Sequence, residues 1–315
     1  MKLSHNIRIF KKQKSAFGDD MPRVVKAVAY LCTTLFSLVC ILPVFFALSI
    51  SFTEEKSLAV SGYHLIPQKF SLNAYEYVFK DADLIFRSYG VTIAVTVLGT
   101  LLGLFVMSMF AYAVTREKFP WKFQFSFYVY FTMLFSGGMV ASYIVVSNIL
   151  HLRDNFLVLI LPCCYSAMYL IIMRTYIRTS IPPSVVESAR IDGASEFTCY
   201  AQIVLPMSVP VLTTIALFLA IAYWNNWFTS FLYVVNNNKI IPLQLLLKRI
   251  ENDVEFLSSA SNGMSTAEVE EMRESLPSES FKMALVMMII TPMLIAYPFF
   301  QKFIVKGITV GAVKG

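Results

Sequence analysis

A chain of 315 residues that is 57% hydrophobic and 15% charged, with mean hydropathy +0.64 and net charge +6, is too apolar for a soluble domain, where roughly 25% of residues are charged. Five cysteines without a CxxC and three histidines on separate segments argue against a disulfide framework and a metal site. No GxxxxGK[ST] occurs, so any nucleotide hydrolysis must come from another chain.

The first 23 residues are basic and polar, with Lys11, Lys12 and Lys14 clustered, and they carry no secretory cleavage signature. Beside an apolar run, such a cluster anchors to anionic lipid and sets topology more readily than it binds nucleic acid. Six runs long enough to cross hydrocarbon follow: 24–52 with Pro43, 88–114, 123–147 with Gly137 and Gly138, 156–174 with Pro162, 209–235, and 281–304 with Pro292 and Pro298. The pair Gly99 and Gly103 on the second has the spacing that lets another helix approach closely. Residues 53–87 and 236–280 are polar. The second of these loops is acidic and reads either as a solvated face or as a contact surface for an outer partner. Ser265 and Glu268 predict a short helix over 266–274. The run from Pro242 to Arg249 is apolar enough to pack back on the bundle.

Charge sets the orientation. With the N-terminus inside, sixteen of the 26 lysines and arginines fall on the inner side, as the positive-inside tendency requires. Both termini and the 175–208 loop are then cytoplasmic.

That loop holds a polar stretch that nonetheless reads as structured. Ser184 and Glu187 have capping-box spacing, residues 185–192 favour helix, and Gly193 predicts a sharp turn that a side chain would block. A second helical run over 195–204 leads to Pro206 and Pro210. Glu187-Ser188-Ala189, Asp192-Gly193-Ala194 and Ile203, Leu205, Pro206 resemble the EAA loop of bacterial ABC importer permeases; Ser188 is the one departure. A solvated amphipathic linker is the alternative. The Gly-rich end with Gly311, Ala312, Lys314 and Gly315 resembles that of carbohydrate-uptake, maltose-type permeases, as does Trp224-Asn225-Asn226-Trp227, although Ser230 stands near where many of those carry a proline.

The resemblance implies an all-α membrane protein of six spans with the type I importer fold and a cytoplasmic coupling helix within 184–206. Its parts are a leader, first span and outer loop (1–85), a permease core (86–304) and a tail (305–315). It implies a non-enzymatic subunit in the bacterial inner membrane that passes a sugar or oligosaccharide. The partners would be a second, different permease, two ATPase subunits that hold ATP and Mg, and an extracytoplasmic solute-binding lipoprotein. This chain would hold no cofactor of its own and no nucleic acid. An ABC permease for another solute is one rival. An ion-coupled secondary transporter is another, but it would need ionisable residues within its spans, and here charges lie at span ends.

The substrate path is placed on the fifth span. Read as one helix, residues 223–233 put Tyr223, Trp224, Trp227, Phe228 and Phe231 on one arc and Asn225, Asn226, Thr229 and Ser230 on the other. A sugar wants both surfaces. One seam between the arcs is Tyr223, Asn226, Trp227 and Ser230; the alternative seam is Trp224 and Asn225.

Overall fold

The computed structural model describes residues 22–80, 82–260 and 279–312. The basic leader, the 266–274 helix and the last three residues of the chain lie outside them. The regular elements described are helices, with one isolated bridge between Thr53 and Phe70.

The elements that position the site begin with α1 (Arg23–Ser51), α2 (Glu55–Ser61), α3 (Asn73–Lys80) and α4 (Ala82–Thr115). Then come α5 (Lys122–Leu134) and α6 (Gly138–Ile149), two short turns over Phe156–Cys163, and α7 (Ala167–Ser180). They are followed by α8 (Pro183–Ile191), α9 (Glu196–Met207), α10 (Val209–Trp224), α11 (Phe228–Tyr233), α12 (Leu243–Ala260) and α13 (Glu279–Ala312).

Three of these, α1, α4 and the 279–298 part of α13, are long and apolar enough to cross a membrane unaided. The other apolar runs are bent or broken. The third bends by 118° between α5 and α6 at Gly137 and Gly138. The fourth bends by 53° between the Pro162 turns and α7. The fifth, α10, meets α9 at 78° and stops at Trp224. The last helix runs on past the sequence's tail boundary to Ala312.

The core is built on α4. Its buried residues Ser88, Thr92, Val95, Gly99, Gly103, Met107, Ala111 and Val114 repeat every three or four positions, which is one face of a helix. Against that face lie α10 and α7, with Met107, Met173, Ile215 and Leu219 almost wholly enclosed. The two small residues carry the close approach expected of them. A Cβ on Gly99 would sit 2.5 Å from Tyr223 Cζ, and one on Gly103 would sit 2.9 Å from the Cys164 carbonyl oxygen.

No residue of the most apolar stretch of α1 is buried within this chain; the helix packs on α13 and turns Leu35, Phe36 and Val39 outward. Glu55 on α2 ties this side to the start of α13: its carboxylate accepts from Glu279 N at 3.1 Å, and from Ser280 N at 3.2 Å and Ser280 Oγ at 2.8 Å. The 242–249 run packs back as its composition predicts, with Leu243 and Leu245 fully buried.

Candidate functional site

Two constellations lie at opposite ends of α10. The first is the polar loop of α8 and α9. Its helix begins two residues earlier than the sequence predicts, because Pro182 takes the N-cap position and Pro183 the first turn. A proline there already has helical φ and no N–H to satisfy, so the Ser184–Glu187 capping box does not form. Ser184 lies inside α8, and its carbonyl accepts from Ser188 Oγ at 2.9 Å. The helix ends as predicted: Asp192 is its C-cap, and Gly193 takes φ +87°, a region that side-chain-bearing residues resist. The obstacle to a side chain at Gly193 is that backbone conformation, since a Cβ there would meet nothing within 4 Å. Ser195 then caps α9, its Oγ accepting from Thr198 N at 3.1 Å.

The loop has an anchored back and an open front. On the back, Val186, Cys199, Tyr200 and Val204 are buried, and Ala189, Ala194 and Leu205 pack against the same cluster. Glu196 accepts a hydrogen bond from Tyr112 Oη at 2.7 Å and is ion-paired with Arg190. Tyr200 Oη and Ser108 Oγ are 2.7 Å apart, and the Arg116 guanidinium lies 4.5 Å above the Tyr112 ring. The α9 helix is thereby fastened to α4, and α8 is tied to α9 through the Arg190–Glu196 pair. Sequence reasoning missed Tyr112, Glu196, Arg190, Tyr200 and Ser108, since nothing in a linear pattern links positions so far apart.

On the front, Glu187, Ser188, Asp192 and Pro206 are exposed, with Ile203 half-buried. Ile191 is 86% exposed and Phe197 63% exposed, so two large apolar side chains stand out from a polar loop. Beside α8 opens a cleft of 820 Å³ lined by Arg116, Lys118, Lys122, Arg174, Arg178 and Arg190, with Glu117 and Glu187 as its acids.

The second constellation is the end of α10. The helix is not continuous from Tyr223 to Tyr233, as the arc construction assumes; it breaks over Asn225, Asn226 and Trp227 and resumes as α11. The break has a local cause. Asn226 Oδ1 accepts from Thr229 N at 3.1 Å, a side-chain bond that closes the turn into α11 in place of backbone continuation. Asn226 Nδ2 reaches Cys163 Sγ and Thr229 Oγ1, both at 3.0 Å.

The six residues proposed for the path therefore divide. Tyr223 and Trp224 are buried, donating to the carbonyls of Ile160 (2.8 Å) and Ile289 (3.1 Å). Ser230 is buried and donates to Asn226 O at 3.3 Å. Asn225 is exposed, and Gln244 Nε2 lies 3.4 Å from its Oδ1. Trp227 is 37% exposed, with Lys248 Nζ 5.7 Å from its ring centroid. The break brings Asn225 and Trp227 to the surface together, which neither predicted seam does.

Near the break, Asp154 holds the chain that follows α11. Its Oδ1 accepts from the backbone N–H groups of Val235, Asn236 and Asn237 at 2.7, 2.9 and 3.2 Å. Burial pushes its carboxyl up, but the three backbone donors outweigh this and hold it below the usual carboxylate range.

The loop between α7 and α10 is thus fastened to the core from behind, with Ile191 and Phe197 standing out among polar residues in front. A family model described as a binding-protein-dependent transport system inner membrane component matches residues 99–310. The chain belongs to that family. It is 38% identical over 295 residues to the polygalacturonan/rhamnogalacturonan transport system permease protein YtcP of Bacillus subtilis, covering 93% of this chain and 99% of that one. It is 26% identical over 291 residues to the trehalose/maltose transport system permease protein MalG of Thermococcus litoralis, covering 89% and 94%. Among solved structures it is similar to a bacterial ABC transporter involved in the import of the acidic polysaccharide alginate. That match has a TM-score of 0.74 and 28% identity, and it covers 89% of this chain and 96% of that one. The chain is a membrane permease subunit of the ABC importer type, and the family is not one of enzymes.

Proposed function

We propose that this chain is one of two permease subunits of an ATP-driven importer for an oligosaccharide rich in uronic acids. ATP and Mg belong to two separate ATPase subunits, and an extracytoplasmic solute-binding protein delivers the substrate. The bundle has six spans, each bent pair counting as one, with both ends and α8 on the cytoplasmic side. The charge distribution favours that orientation. The α8–α9 loop seats Ile191 and Phe197 in a groove of an ATPase subunit, with Glu187 meeting a basic group there. The relatives named for polygalacturonan/rhamnogalacturonan and for alginate act on acidic glycans, and they favour an acidic sugar here.

The observation that carries the reading of the path is the break at Asn225–Trp227. Non-helical backbone within an apolar run is tolerated only where it is buried in protein or lines a water-filled cavity. Here it brings an indole face and an amide to the surface, the two kinds of surface a sugar uses. The test is ATP-dependent uptake of an oligogalacturonate by proteoliposomes holding this permease, its partner permease and the ATPases, with the binding protein supplied outside. Uptake should stop without ATP and without the binding protein. Uptake that persists without the ATPases, driven by an ion gradient, would refute the proposal.

A further inference from the structure

The end of α12 that folds back over the helix break carries a cation to the one half-exposed indole there, and we propose that Trp227 and Lys248 together form a subsite for a uronate residue of the substrate. The indole carries the C–H face of the pyranose, and the ammonium pairs with its carboxylate. The inference rests on the break being the substrate path.

Trp227 is held like a plate. Phe228 and Phe231 pack steeply inclined to it, with centroids 5.6 and 6.0 Å away and planes at 84° and 62°. These contacts fix the ring's orientation, and the residue keeps 37% of its surface exposed. Lys248 Nζ lies over the ring, 5.7 Å from its centroid, which is far enough to pair with a group held against the indole.

The position of Lys248 follows from its helix. Leu243 and Leu245 are fully buried and fix the rotation of α12 on the bundle. Gln244 and Lys248 are four residues apart, so they share one face, and that face lies over the break. Gln244 meets Asn225 and Lys248 meets Trp227, so one strip offers an amide pair, an aromatic face and an ammonium.

The two adjacent cations are used differently. Arg249 donates to the Val234 carbonyl at 3.2 Å and to Asn238 Oδ1 at 3.3 Å, which makes it part of the scaffold. Lys248 is paired with Glu251, 3.1 Å away on the same helix, with both side chains at least a third exposed. Such a pair is worth little, and its carboxylate can be exchanged for a ligand's at small cost. A neutral sugar would leave that pair intact and use only the indole and the amides. A uronate alone uses every group in the strip.

The test compares trigalacturonate with its methyl ester, each delivered by the same binding protein to the reconstituted importer. The binding protein's own preference cancels when the ratio of the two uptake rates is compared between variants. Lys248→Gln should lower the rate on trigalacturonate on the order of tenfold, the scale of a hydrogen-bonded charge. The rate on the ester should stay within about twofold, and Lys248→Arg should restore the acid. Trp227→Ala should lower both rates. An unchanged ratio in Lys248→Gln would overturn the subsite while leaving the path reading intact. Uptake of neither compound by the wild-type importer would remove the uronate reading and the subsite with it.

Discussion

The bond between Tyr112 and Glu196 is one of two side-chain hydrogen bonds that fasten the α8–α9 loop to α4, and its removal has a calculable effect. Tyr112→Phe deletes one hydroxyl and keeps the ring that packs on Tyr200 (centroids 5.5 Å apart) and under Arg116. What is lost is the 2.7 Å bond to the Glu196 carboxylate. A hydrogen bond to a charged group is worth about 1.5–3 kcal/mol. Two features move this case to the low end. Glu196 keeps its ion pair with Arg190, and its side chain is 56% exposed, so water replaces part of the loss. About 1 kcal/mol remains, or roughly a fivefold shift of the loop from fastened to loose. Glu196→Gln weakens both contacts and should cost more. The readout is sugar transported per ATP hydrolysed in proteoliposomes. We expect ATP hydrolysis near the wild-type rate and a several-fold lower transport ratio in Tyr112→Phe, with the double variant no worse than Glu196→Gln alone. A wild-type ratio in both single variants would refute the linkage. Transport and hydrolysis falling in parallel would show a folding defect instead.

At Gly193 the barrier is backbone strain, about 1–3 kcal/mol for a side-chain-bearing residue at φ +87°. Coupled uptake should therefore fall in the order Asn, Ala, Val, with Asn mildest because it tolerates positive φ best; equal activity of Asn and Val would contradict this. Gly99→Ala should lower the melting temperature of the purified permease by overpacking worth about 1–3 kcal/mol, because the ring it meets is pinned by Tyr223 Oη on Ile160 O. Gly90→Ala on the same helix meets nothing within 4 Å and should be neutral or stabilising, and equal effects of the two would refute the contact. The depressed Asp154 carboxyl gives stability that is fully present above the unfolded value of about 3.9 and lost as pH falls through the folded one. Protease resistance of the 235–237 segment should thus hold from neutral pH to about pH 5 and drop below 4, and Asp154→Ala should remove that acid step.

What was legible in the sequence was what depends on local pattern. The membrane runs, the α4 stripe with Gly99 and Gly103, the turn at Gly193 and the return of the 242–249 run all follow from period and residue type. The helix start at α8 was misplaced because a proline pair competed with a capping box, and both are sequence signals for the same event. The break after Trp224 was not legible. An apolar run containing two asparagines reads as a helix until Asn226 is seen bonding Thr229 N and Cys163, a residue on another segment. The links that fasten the docking loop join positions 84 to 92 residues apart, and only the packed structure brings them together.

The two constellations are joined by one element. α10 starts at Val209, next to the end of the docking loop, and stops at Trp224, next to the break. Its 16 residues make a rod about 24 Å long. The rod lies on α4 through Tyr223 at Gly99 and Leu219 at Gly103, and α4 also holds the back of the docking loop through Ser108 and Tyr112. Both ends of the rod are sharp breaks, a 78° turn at one and an interruption closed by the Asn226 side chain at the other. Under the docking role proposed for α8, its displacement has two parallel routes to Asn225 and Trp227, along α10 itself and along α4. Cores packed this closely switch between arrangements and do not deform smoothly. A rod seated on glycines changes its seating most readily as a unit, so the proposed coupling predicts that motion of the loop reaches the break as a shift of the whole helix.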